Sequence, residues 1–164
     1  MKYPLQQLQT IKKKRLEEAE RLLKEKKETL SQEEERLLEA EKIRDKTLHH
    51  RDKKVAQLQE EFSKGTTSDR IETADRYLKV VGEELKKKEM KVVEQKLVVE
   101  KAEKAVEAAR KEMLQKQQDV EKLKIHKKEW QKQARLEEKR KDDIETDELG
   151  SAMHTLRKKR EKDG

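Results

Sequence analysis

Cysteine is missing from the chain altogether, which excludes disulfides, thiol catalysis and cysteine-held metals. Proline occurs once and glycine four times in 164 residues, so little in the sequence interrupts a helix. Aromatic residues make up 2% of the chain and hydrophobic residues 30%, too thin a supply for the core of a compact globular domain of this length. No run of about 18 apolar residues is present to cross a membrane. The opening MKYPLQQLQTIKKKR also lacks the apolar stretch of a signal peptide. The chain is therefore expected in a reducing cytoplasm, at most peripheral to a membrane and not inserted in one.

What the sequence does have is charge, on 49% of its residues. High charge with low hydrophobicity is also the signature of disorder. Here, however, the polar residues are mostly Glu, Lys, Arg and Gln, all good helix formers, and the apolar ones recur at regular intervals. That combination points to a coiled coil, whose core is a narrow seam.

The second half carries the clearer repeat. Steps of seven from Ile71 give Leu78, Leu85, Val92, Val99, Val106, Met113 and Val120 without a miss. The companion row, three residues later each time, is patchy: Ala74, Val81, Lys88, Gln95, Ala102, Ala109, Lys116, Leu123 and Trp130. Small Ala beside long Lys and Gln suits a close two-helix contact with wet edges. In the first half, Leu16, Leu23, Leu30 and Leu37 follow the same spacing, Arg44 and Arg51 intrude, and Leu58 resumes it. Both arginines are expected to snorkel or to pair with acids on the other arm.

Between the halves lies KGTTSDR, residues 64–70. Gly65 can take positive φ at a helix end, and Thr66, Thr67 and Ser68 are weak helix formers. Asp69 or Ser68 can cap the next helix, with Glu72 completing a capping box on Asp69. The expected architecture is all-α: a single, rod-shaped, antiparallel two-helix coiled-coil hairpin. Helix one covers about 4–62, the turn 63–69, helix two 70–148, and a break at Gly150 leaves a short basic tail over 150–164. Pro4 sits at the first position of helix one, where its missing N–H costs nothing. Pairing Phe62 with Ile71 across the turn sets Tyr3 opposite Trp130 and Leu5 near Lys128. Each paired arm is then roughly 90 Å long at 1.5 Å per residue, and helix two outruns helix one.

The formal charge of +7 is uneven. Lys2, Lys12, Lys13, Lys14 and Arg15 stand among residues 1–16 with no acid, and residues 121–141 hold nine bases against four acids. The pairing brings these basic segments to one end, where DDIETDEL over 142–149 adds a short acidic block. No phosphate-binding glycine motif occurs, so no cofactor is expected. His49 and His50 lack the i, i+4 spacing for a shared metal, and no metal site is expected. Carboxylates abound, but a helix surface encloses no dry pocket in which to shift a pKa, so the chain reads as non-enzymatic, with no catalytic residue. Tyr3 and Trp130 either close the open end of the seam or anchor a partner.

Three stretches resemble the YscO/FliJ family of type III secretion and flagellar export. The turn Gly65-Thr66-Thr67-Ser68-Asp69-Arg70 is similar to that family's Gly-x-Thr-Ser-Asp/Asn-Arg tip. EEKRKDDIETDELGSAMHTLRKKR is similar to its charged late segment, and LQQLQTIKKKRLEEAERLL to its basic-then-acidic start. The chain resembles the virulence-type YscO proteins, the chlamydial ones in particular. The resemblance implies a stalk like the γ subunit of rotary ATPases. Its terminal end would enter a hexameric secretion ATPase, and its tip would approach the membrane export gate. Secretion chaperones and the needle-length regulator would be further partners. On that basis Lys12, Lys13, Lys14, Arg15, Lys127, Lys128, Trp130, Lys132, Arg135, Lys139, Arg140 and Lys141 are expected to face the ATPase. Residues Gly65, Thr66, Thr67, Ser68, Asp69 and Arg70 are expected to face the gate, with the chain acting as a monomer.

Two other readings compete. A nucleic-acid-binding hairpin fits a sequence pI near 9.3 but not the 37 acidic residues or the lack of interleaved aromatics, so no nucleic acid is expected. A purely structural coiled coil needs no partner at all.

Overall fold

A computed structural model describes residues 2–162 and 164. Two helices account for nearly all of it: α1, Gln6–Ser63, with 58 residues, and α2, Ser68–Lys162, with 95. They form the antiparallel hairpin that the periodicity predicts, α2 outruns α1, and no strand occurs among the described residues. Where the sequence suggests a single hairpin domain, the contacts gather into two units, Ala19–Met113 and Met1–Glu18 with Leu114–Gly164.

In Ala19–Met113 the seam is made as the repeat dictates. Leu85, Val92, Val99 and Val106 are buried, and Val92 is the most enclosed side chain at 1% exposure. Ala74, Val81 and Ala109 line the companion row, and Leu23 of α1 packs with Val106 and Ala109, flanked by Leu30 and Met113. Each of these valines and leucines contributes roughly 1.5–3 kcal/mol when fully buried, which is what holds two highly charged helices together. The patchy positions are filled by polar tips reaching across. Lys88 Nζ donates to Thr47 Oγ1 at 2.7 Å, and Gln95 Nε2 donates to the Glu33 carbonyl at 3.0 Å and its carboxylate at 2.6 Å.

The row fails at its first member. Ile71, in the first turn of α2, is 49% exposed where the repeat would bury it. Of the two courses open to Arg44 and Arg51, cross-arm pairing is not the one taken: both are half-buried beside the seam and turn their guanidinium groups to Asp45 and Asp52 on their own helix, each at 3.0 Å. An adjacent carboxylate is reached without extending a long side chain across the seam.

At the turn, Lys64 and Gly65 donate backbone N–H to the carbonyls of Glu61 and Phe62, both at 3.2 Å. Gly65 takes φ of +98°, the left-handed value that a side chain disfavours. Helix α2 then starts earlier than the sequence suggests. Ile71 N–H already donates to the Thr67 carbonyl at 3.3 Å, so Thr67 occupies the position before the helix and Asp69 lies inside its first turn. There its charge still favours the positive helix end. Glu72 does not reach back to Asp69; it holds Arg76 at 2.6 Å.

In the other unit, Val120, Tyr3 and Gln9 are buried. Pro4 lies in a turn ahead of α1 instead of at its first position, since Gln6 N–H donates to the Tyr3 carbonyl at 3.2 Å and proline suits the second residue of such a turn. The break expected at Gly150 is not there: α2 runs through it to Lys162. One exposed glycine costs a helix only about 1 kcal/mol, and Ala, Met, Leu, Arg and Lys on its far side restore the propensity.

Candidate partner-binding surfaces

In the terminal unit two bases near the seam, Lys12 and Lys127, bond across it, while many of the exposed bases make no ion pair among the described residues. Tyr3 lies 6% exposed between the helices, with its ring edge-on to Trp130 at 5.5 Å. Its hydroxyl is 2.7 Å from His126 Nδ1, and Lys127 Nζ stands 5.7 Å from its ring centre. Lys127 also donates to Gln6 Oε1 at 3.0 Å and Gln9 Oε1 at 3.4 Å. Tyr3 and Trp130 thus meet as the pairing predicts.

Lys12 donates to Asp119 Oδ2 at 2.7 Å. That hydrogen bond holds the Asp119 carboxyl below its ordinary pKa, against opposing desolvation and with smaller help from the charges of Lys12, Lys122 and Lys116. Lys12 and Lys127 are therefore committed within the hairpin. Lys13, Lys14, Arg15, Lys128, Lys132, Arg135, Lys139, Arg140 and Lys141 are exposed, and none makes an ion pair among the described residues. Lys128, Lys132, Arg135 and Lys139 line an open groove with Gln131 and Leu136, past the start of α1. Such a surface offers many cations and one apolar strip, which suits an acidic protein partner.

The turn surface is different in kind. Residues Gly65, Thr66, Thr67, Ser68, Asp69 and Arg70 are all exposed. Arg70 stands 3.7 Å from Glu61, a surface contact that leaves 71% of its side chain accessible. It borders an open groove with Leu58, Phe62, Ala74 and Tyr77. Sequence reasoning misses the cluster beside it, where Tyr77 meets His50 Nε2 at 2.7 Å and lies under Lys54 at 5.7 Å. Tyr77 falls outside both repeat rows, and its rarity as an aromatic was the signal that could have marked it. Among the described residues no three His, Cys, Asp or Glu side chains gather as a metal would require. Among the described residues no helix is long and apolar enough to cross a membrane.

The family model for YscO-like proteins matches residues 1–160. The chain belongs to the YscO-like family. Its fold is similar to a solved structure described as a YscO homolog, CT670, of Chlamydia trachomatis, with a TM-score of 0.92 and 42% sequence identity. That match covers 97% of this chain and 98% of the other. No curated protein sequence matches significantly. Membership in the YscO-like family implies a stalk-like, structural component related to type III secretion.

Proposed function

We propose that this YscO-like chain is the non-enzymatic stalk of a bacterial type III secretion system. In this reading the terminal unit inserts into the hexameric secretion ATPase, and the Gly65–Arg70 turn meets the export gate. Secretion chaperones and the needle-length regulator bind along the helices, and the protein works in the bacterial cytoplasm at the inner-membrane face of the apparatus. The observation that supports it best is the division of the terminal bases. Lys12 and Lys127 are used up inside the hairpin, while nine others stand exposed without an ion-pair partner among the described residues. Unpaired cations on a rigid helix steer and orient an acidic partner, and their effect fades with salt.

Co-purification with the ATPase tests it. Replacing Lys13, Lys14 and Arg15 by Glu, together with Lys139, Arg140 and Lys141, is expected to abolish capture. Arg70→Ala, on the other unit, is expected to leave capture intact. Capture unchanged by the charge reversal contradicts the assignment.

A further inference from the structure

The seam leaves one apolar row uncovered in the middle of α2. Met90, Val93 and Leu97 recur at i, i+3 and i+7, turned away from the buried Leu85, Val92 and Val99, and are 62%, 58% and 55% exposed. Lys87, Glu89, Glu94 and Lys96 flank this row, all exposed and none in an ion pair among the described residues. We propose that two folded hairpins pair here, α2 against α2, antiparallel and two-fold symmetric, in a weak association of the chain with its own copy.

The charge order commits the face to that occupant and that direction. Around a two-fold axis between residues 91 and 92, Met90 of each copy meets Val93 of the other, and Leu97 meets the aliphatic stem of Lys86. The same register sets Glu89 against Lys96 and Lys87 against Glu94, each pair occurring twice, so every flanking contact is between opposite charges. A parallel pair would instead oppose Glu89 to Glu94 and Lys96 to Lys101, like charge to like, and is selected against. With only three apolar side chains from each copy the contact sits at the small, transient end of protein interfaces. It joins hairpins that are already folded and leaves the seam within each untouched.

Sedimentation equilibrium of the full chain over a micromolar-to-millimolar series tests the pairing. The average mass is expected to climb from that of one chain toward twofold, and to fall back as salt is raised. Two variants fix the register: Lys87→Glu with Lys96→Glu, and Glu89→Lys with Glu94→Lys. Each alone is expected to stay at the mass of one chain, because its flanks become uniformly acidic or basic. An equimolar mixture is expected to associate at least as well as the wild type, with helicity by circular dichroism unchanged throughout. A wild-type mass that stays at one chain at every concentration overturns the proposal. So does a mixture that fails to associate, or a single variant that associates like the wild type.

Discussion

Lys12 and Asp119 join the start of α1 to α2 through a 2.7 Å ion pair with both side chains about a quarter exposed, at 25% and 29%. The bond lowers the Asp119 pKa, so its contribution to stability is complete above the ordinary aspartate range and is lost as pH falls through the depressed value. Asp119→Asn is expected to lower the melting temperature slightly at neutral pH. The gap from wild type should close in strong acid. A gap that stays constant with pH contradicts the pairing.

Val92 is the most enclosed side chain of the seam. Val92→Ala removes two buried methyl groups' worth of packing and is expected to cost about 2 kcal/mol by urea unfolding. Val93→Ala, one residue away and 58% exposed, is expected to change stability by less than about 0.5 kcal/mol. Equal effects at the two positions would place the seam elsewhere.

Gly65 holds φ of +98° with open space around the site of a Cβ. Gly65→Ala is therefore a test of backbone conformation alone, and is expected to destabilise the hairpin by roughly 1–2 kcal/mol in thermal or chemical unfolding. Gly150→Ala, in the continuous part of α2, is expected to act in the opposite direction, raising helical content.

Arg70 keeps 71% of its side chain accessible and makes one loose ion pair among the described residues, with Glu61 at 3.7 Å. Arg70→Ala is expected to leave helicity and melting temperature nearly unchanged, since surface pairs of this kind are worth little. Secretion of substrates is expected to drop. Secretion at the wild-type level would leave the turn with a structural role only.

The hairpin was legible because its seam obeys one spacing: Leu85, Val92, Val99, Val106 and Val120 are all buried as the seven-residue row demands. The misses lie where local alternatives are close in energy. Thr67 and Asp69 can both precede a helix, and the earlier one does. Gly150 is a helix breaker only when its neighbours agree, and here strong helix formers follow it. Arg44 and Arg51 have acids next to them in sequence, and they pair with those. At the terminal surface, spacing brought Tyr3 to Trp130. It did not separate Lys12 and Lys127, which bond within the hairpin, from the exposed bases around them, because that depends on which way each stem leans along the seam.

Insertion of the terminal unit into the secretion ATPase is tested most directly by its binding isotherm with the hexamer, measured at rising salt for the full chain and for a chain ending at residue 132. The full chain is expected to bind one copy per hexamer, with affinity that weakens steeply with salt, and the shortened chain to lose most of that affinity. Binding that ignores both salt and the loss of residues 133–164 would contradict the stalk reading.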